Sequence, residues 1–256
     1  MSQEFNDQFS SHAKSYAQSR PDYPIELFVY LKELCEEHKL AWDCATGNGQ
    51  AAKSLAKIFE RVIATDASAE QIDQTSKVEN IEYKQAAAED SFLRPASVDL
   101  LTVAQALHWF DISAFFANAE LVLKPGGVLA VWTYGLPVVS PAVDRVILKL
   151  YEEILGPYWP EERRIVEQQY DNIEFPYKLI PTPEFPMSQT WTLAQLNNFF
   201  MSWSALRRYM EKHHANPLDS VAASLESAWN EELNSQAQIA WPLLVKIARK
   251  PAQKPK

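Results

Sequence analysis

Glycine is scarce in this chain: 6 of 256 residues, about 2% against a usual ~7%. Four of the six sit in two short clusters, Gly47-Asn48-Gly49 and Gly126-Gly127, so glycine is expected where the backbone needs it. Cysteine is scarcer still. Cys35 and Cys44 alone make no disulfide framework, and Cys44, in an apolar run, reads as a small buried side chain. No apolar run approaches the roughly 18 residues of a membrane span. The opening MSQEFNDQFS is polar and lacks the apolar core of a signal peptide. A soluble cytoplasmic protein is the expectation. Positive charge is in deficit, with 24 Lys and Arg against 33 Asp and Glu and a net charge of −9. That argues against a general grip on nucleic acid, which relies on clustered cations. What is plentiful is apolar and aromatic matter: 47% apolar residues, with 8 Trp, 10 Tyr and 12 Phe. A disordered chain has fewer of both. A chain of this length suits one large α/β domain, or one domain with a cap.

The apolar pattern alternates. Residues 1–22 are polar with interspersed aromatics and end in Arg20-Pro21-Asp22-Tyr23-Pro24, a break. Helical spacing follows over 25–38, through Ile25, Phe28, Val29, Leu31 and Leu34. Leu40–Ala45 reads as a buried strand that ends in Thr46-Gly47-Asn48-Gly49, and Gln50–Phe59 reads as a helix. Further strands are expected at Arg61–Asp66, Ile81–Ala86, Val98–Val103 and Val128–Tyr134. Helices are expected at Ser68–Lys77, with Ser68 as N-cap, and at Asp111–Leu123, stopped by Lys124-Pro125-Gly126-Gly127. Repeated strand–helix units predict an α/β fold with a doubly wound, mostly parallel sheet. After Gly135 the chain becomes helical and aromatic over 140–180. A strand is expected within Glu184–Trp191, helices at Thr192–His213 and Pro217–Leu233, and a last strand at Gln238–Ala248.

The first strand and its turn, Asp43-Cys44-Ala45-Thr46-Gly47-Asn48-Gly49, carry the first functional signal. Glycines let the backbone adopt positive φ and approach a ligand. The crevice beyond the strand ends is where doubly wound sheets bind ligands. Asp66 ends the second strand, placed to accept two hydrogen bonds from a ribose diol. These features allow either a dinucleotide or S-adenosylmethionine, since Ala52 completes a dinucleotide fingerprint. Asp43 weighs against a pyrophosphate, which an acid in the strand would repel, and suits a ligand with a cationic amino-acid end. Its alternative role is to cap nearby backbone amides.

Several motifs together resemble class I S-adenosylmethionine-dependent methyltransferases of the methyltransferase type 11 kind, the group of trans-aconitate methyltransferase-like proteins among them. They are Tyr16 with Arg20–Pro24, the Asp43–Gly49 loop, Val62–Asp66, Ala86–Glu89, Gln105–Phe110 and Leu123–Gly127. The resemblance is good over roughly 5–134 and looser beyond. It implies a Rossmann-like seven-stranded sheet whose last strand, Gln238–Ala248, runs antiparallel. It implies one methyltransferase domain: an N-terminal arm (1–24), a cofactor-binding core (25–134), a helical cap on the substrate side (135–237) and the last strand (238–250). It implies a site as well. Asp43, Ala45, Thr46, Gly47 and Gly49 would wrap the methionine part of S-adenosylmethionine. Asp66 would hold the ribose, and Ala67, Ala88 and Glu89 would lie near the adenine. Gln105 and Ala106 would face the methyl-donor end, and Tyr16 and Arg20 would cover the cofactor. One departure is Ala45, where the family usually has glycine.

Methyl transfer from a sulfonium is an in-line displacement, so the protein mainly aligns the acceptor and excludes water. His108 is the one evident base near the expected methyl site. Its alternative is to pack beside Trp109 and bond a backbone carbonyl. His213-His214 are adjacent and point apart on a helix, so no metal is expected. Trp132, Tyr134, Tyr158, Trp159, Trp203 and Tyr209 are candidates to line the acceptor pocket. The expected activity is methylation of a small organic molecule, on oxygen and conceivably on a carboxylate, giving S-adenosylhomocysteine. The rival readings are a non-catalytic module that binds the cofactor or its product, and a nicotinamide-dependent oxidoreductase. No nucleic-acid or membrane partner is expected.

Overall fold

The computed structural model describes residues 20–90, 93–233 and 235–252. Its main body is a seven-stranded sheet. The strands are β1 (Leu40–Cys44), β2 (Arg61–Asp66), β3 (Ile81–Gln85), β4 (Val98–Ala104), β5 (Leu123–Tyr134), β6 (Leu179–Ile180) and, last in the chain, β9 (Leu243–Arg249). The order across the sheet is β3-β2-β1-β4-β5-β9-β6. Every pair among β1 to β5 is parallel, and β9 runs antiparallel to both neighbours. Direction of travel reverses between β1 and β4, so this is the switch point of a doubly wound sheet.

Apolar residues on successive positions part to the two faces of the sheet, as the period of two requires. Trp42, Cys44, Leu101, Val103, Leu129 and Val131 join one buried cluster with α4 (Ile112–Val122). Ala41, Val62, Leu100, Val128, Ala130 and Trp132 join another, with α1 (Ile25–Leu34) and α2 (Gln50–Leu55). Burial on both sides explains why β4 is apolar almost throughout. The short helix α3 (Ala69–Asp73) follows β2, and the Ser68 hydroxyl accepts from Gln71 N.

The chain beyond β5 builds a third apolar cluster beside the sheet. Its elements are α5 (Pro141–Leu148), continued as a π-helix over Lys149–Ile154, then α7 (Leu193–Met201), α8 (Ser204–His213) and α9 (Ala222–Glu232), while the short α6 (Arg163–Glu167) packs Val166 into the cluster of Trp42 and α4. The separate ribbon β7 (Ser188–Trp191) with β8 (Ala237–Ala240) completes the third cluster. Phe199, Phe200, Trp203, Trp229 and Trp241 are its large buried members.

Local structure departs from the sequence-based expectation at several ends. The first helix stops at Leu34, because Cys35 turns extended at ψ 132°. Gln50–Phe59 and Ser68–Lys77 contract to α2 and α3. Lys124–Gly127 stops a helix as expected, but it is itself the start of β5, with a register shift opposite Val98 to Leu100 and Gly126 at φ +81°. Gln238–Ala248 is two strands in two sheets. Pro242 has no N–H for a ladder, and the break there turns the chain from β8 into β9.

One buried carboxylate pins the amino ends of the strands. Asp99, 5% exposed, accepts from Lys39 N at 3.0 Å and Leu40 N at 2.8 Å through one oxygen. Its other oxygen pairs with Lys124 Nζ at 2.5 Å. Lys124 also reaches Glu37 at 2.8 Å. Asp99→Ala leaves two backbone donors and a half-buried ammonium without this partner. A loss of about 3 kcal/mol is expected, read as a Tm lower by about 6–12 °C in thermal unfolding; a change under about 1 kcal/mol would show that the clamp is idle.

Candidate active site

At the carboxyl end of β1 the chain makes a tight loop. Ala45, Gly47 and Gly49 adopt φ of 56°, 57° and 82°, the left-handed region. Glycine takes it freely, while Ala45 takes it at a cost of about 1–2 kcal/mol. A Cβ on Gly49 would stand 2.5 Å from the Tyr83 hydroxyl, so no other residue fits there unchanged. Asp43 underlies the loop and is 1% exposed. Its oxygens accept from Thr46 Oγ1 at 2.5 Å and from Thr102 Oγ1, on β4, at 2.7 Å. The carboxylate therefore ties the loop to the strand across the switch point. Burial, opposed by those two hydroxyls and a bond from the Ala52 backbone and aided by the Asp66 charge, pushes its pKa up to about 6.

Asp66, ending β2, accepts from Gly47 N and Ser68 N at 2.9 Å each. Ala67 follows, its carbonyl bonded by Gln85 Nε2 at 3.0 Å. Ala88 is buried and its carbonyl accepts from Asn118 Nδ2 at 2.9 Å. Glu89 accepts from Asp111 N at 2.9 Å. Gln105, just past β4, also sits in the left-handed region, at φ 59°. Thr133 Oγ1 donates to its Oε1 at 2.9 Å, and its buried Nε2 has no partner among the described residues. Ala106 is buried behind it and opens the short 3-10 turn Leu107–Trp109.

The tertiary structure thus gathers Asp43, Ala45–Gly49, Asp66–Ala67, Ala88–Glu89 and Gln105–Ala106 at the carboxyl ends of adjacent parallel strands. A bridge of acids, a left-handed glycine loop and an orphaned amide donor fit a polar ligand with a cationic amino-acid end and a ribose. Tyr16 lies outside the described residues. Arg20 is placed farther along: its guanidinium donates to Tyr134 Oη at 2.9 Å and to Ser202 O at 3.4 Å, and lies 5.6 Å from the Phe199 ring centre.

Beyond Gln105 a cleft of about 90 Å³ opens, lined by Arg20, Gln105, His108, Tyr134, Trp159 and Arg163 among others. Trp109 and Trp203 also reach it. Trp132 does not line it; it is fully buried on the other face, edge-on to Tyr23 and Phe28. Tyr158 and Tyr209 pack on each other and on His213. His108 is 8% exposed, 4.8 Å from the Trp109 ring centre, and its Nδ1 meets Tyr170 Oη at 3.1 Å. Its partner is thus a phenol of the later chain rather than a backbone carbonyl. Burial, with the Arg163 charge nearby, pushes its pKa down to about 3. Thr102, Thr133, Arg163 and Tyr170 carry no motif and are found only in three dimensions. Among the described residues no group of three potential metal ligands occurs, and no helix is long and apolar enough to cross a membrane.

The raised pKa of Asp43 has a sign. The folded state holds this proton more tightly than the unfolded chain, so stability falls as pH rises from about 4 through 6, then levels. Two pKa units correspond to roughly 3 kcal/mol. In denaturant unfolding, Asp43→Asn is expected to gain about that much on the native protein between pH 4 and pH 7. A constant difference across that range would mean that Asp43 ionises normally.

Known proteins place the chain in a family. The methyltransferase-domain family model matches residues 42–131, the span from β1 into β5. A Dictyostelium discoideum protein named for the methyltransferase family is 33% identical over 229 residues, covering 88% of this chain and 87% of that one. A methyltransferase of Aspergillus candidus is 26% identical over 298 residues, covering 91% and 93%. An Anaeromyxobacter dehalogenans protein, solved under the name of a type II methyltransferase, is 37% identical with a TM-score of 0.84, covering 91% of this chain and 99% of that one. The switch-point loop, the acids at the ends of β1 and β2 and these likenesses converge: the chain belongs to the class I S-adenosylmethionine-dependent methyltransferases.

Proposed function

We propose that the protein methylates an oxygen that is already ionised, a carboxylate above all, on a small organic acceptor. The observation that carries this reading is the make-up of the cleft. Among its described residues there is no carboxylate and no lysine, and His108 is held neutral with a pKa of about 3. A phenol, alcohol or ammonium acceptor needs a base near its own pKa to take its proton. A carboxylate needs none. The volume, about 90 Å³, corresponds to roughly six to nine water molecules, which suits a small acceptor. The finer kinship with trans-aconitate methyltransferase-like proteins belongs to the same proposal and rests on the shared motifs.

When bound, S-adenosylmethionine supplies an electrophilic methyl carbon on a sulfonium and becomes S-adenosylhomocysteine. The chain's own residues hold and align. The Ala45–Gly49 loop, braced by Asp43, receives the methionine part. Asp66 takes the ribose hydroxyls, and Ala67, Ala88 and Glu89 border the adenine. Gln105 Nε2 donates toward the reacting end beside Ala106, and Thr133 fixes which face of that amide is presented. Arg20 closes the site from the N-terminal side, and the segment 135–237 covers the acceptor. His108 acts as a neutral wall and hydrogen-bonding group.

Titration calorimetry with S-adenosylhomocysteine tests the cofactor side: Asp66→Ala is expected to weaken binding at least tenfold, about 1.4 kcal/mol. A panel of carboxylic acids, phenols and amines tests the acceptor side. Methyl esters are expected, at a rate nearly flat from about pH 6 to 9, because carboxylates are ionised and imidazole of this kind is neutral throughout. A rate rising through a pKa near 7, or methylation of phenols or amines alone, would overturn the ionised-acceptor reading. Tight product binding with no methylation of any class would leave a binding module.

A further inference from the structure

Arg163 is a cation of the cleft with no ion-pair partner among the described residues. It opens α6 and lines the cleft. Its Nε donates to Tyr151 Oη at 2.9 Å. Its guanidinium lies 5.2 Å from the Trp159 ring centre and 5.6 Å from that of Tyr151, so two aromatic rings hold its orientation. The acid one turn along the helix, Glu167, makes no direct ion pair with it and meets it only through the Tyr151 hydroxyl. That carboxylate accepts from the Tyr151 hydroxyl at 2.5 Å. Lys124, Lys246 and Lys250, by contrast, each pair with an acid. Among the described residues no Asp or Glu forms an ion pair with Arg163, and its two terminal nitrogens have no hydrogen-bond partner.

A half-buried guanidinium without an anion carries an uncompensated desolvation cost. In a chain of net charge −9, acids to offset it are plentiful, yet none of the described residues around the cleft is one. With Nε occupied, the two terminal nitrogens remain as a planar fork, the geometry that grips a carboxylate or phosphate with two parallel hydrogen bonds. The rings of Trp159 and Trp203 flank the same space and suit an acceptor with an apolar or aromatic body. We propose that Arg163 is the specificity-determining anchor of the acceptor, binding an anionic group of it, a carboxylate or a phosphate ester, through its terminal nitrogens. This rests on the reading of the cleft as the acceptor site. Anchoring there orients the acceptor and excludes neutral molecules of the same shape, which would leave the guanidinium unpaired.

The test uses the native protein, Arg163→Gln and Arg163→Lys, each saturated with S-adenosylhomocysteine. Tryptophan fluorescence and calorimetry follow titration with benzoate, phenyl phosphate and benzamide, two anions and a neutral isostere. The native protein is expected to favour an anion over benzamide at least tenfold, and the preferred anion identifies carboxylate or phosphate ester as the natural group. Arg163→Gln is expected to abolish that preference while changing benzamide and S-adenosylhomocysteine affinities less than twofold. Arg163→Lys is expected to keep part of it, since it retains charge without the fork. Binding of both anions no tighter than that of benzamide, or unmeasurable, in the native protein overturns the proposal, as does an unchanged preference in Arg163→Gln. A loss of S-adenosylhomocysteine binding in Arg163→Gln matching the loss for benzoate also overturns it, assigning Arg163 to the cofactor instead. Failure of the native protein to bind S-adenosylhomocysteine is a separate result, and sinks the underlying site.

Discussion

A carboxylate placed where a sheet changes direction governs the site of this protein. Asp43 lies at the end of β1, out of water, with one hydroxyl from its own loop and one from β4 donating to it. Two strands that part company in the topology are joined at the point where their loops diverge, which holds the crevice of the doubly wound sheet open in one shape. Burying an acid there costs free energy, visible in its raised pKa. The hydroxyls of Thr46 and Thr102 offset only part of that cost. In the proposed complex, the cationic end of the cofactor would add to that compensation.

The strained backbone around it follows the same logic. Ala45 and Gln105 end neighbouring parallel strands, and both occupy the left-handed region that side chains disfavour. Each turn lets the chain leave the sheet edge abruptly, exposing polar groups to the crevice instead of carrying them into a helix. Thr133 on β5 then fixes the amide of Gln105. At the opposite ends of the strands Asp99 binds the entry into β1 and the entry into β5 through one carboxylate. The strands are therefore tied at both ends, with the amino ends serving stability and the carboxyl ends serving chemistry.

The later half of the chain supplies what the sheet lacks. Its aromatic cluster is a core in its own right, with Arg163 held against two of its rings, Tyr151 and Trp159, while Tyr170 packs into the cluster beside the sheet. The resulting cleft is cationic within an acidic protein. Long-range repulsion between a net negative chain and an anionic acceptor is screened beyond about a Debye length, whereas the guanidinium acts at contact distance inside low-dielectric walls. Selection for an anion, as proposed for this cleft, would thus be local and compatible with the overall negative charge.

The sequence alone determined the alternation of strands and helices, because burial on two faces writes continuous apolar runs and glycine marks the turns. It determined the Asp43–Gly49 loop and Asp66, since local spacing sets where a turn and an acid fall. It did not determine that Gln238–Ala248 divides between two sheets, because the pairing partners of β8 and β9 lie far away in the chain. Nor did it settle the state of His108. Its position after β4 was legible, but its low basicity comes from burial beneath Tyr170 and the charge of Arg163, more than fifty positions onward. Thr102, Thr133 and Arg163 have no motif around them, and each matters only through what folding sets opposite it. Local geometry is encoded locally, while desolvation and charge at a site are sums over neighbours that only the tertiary structure assembles.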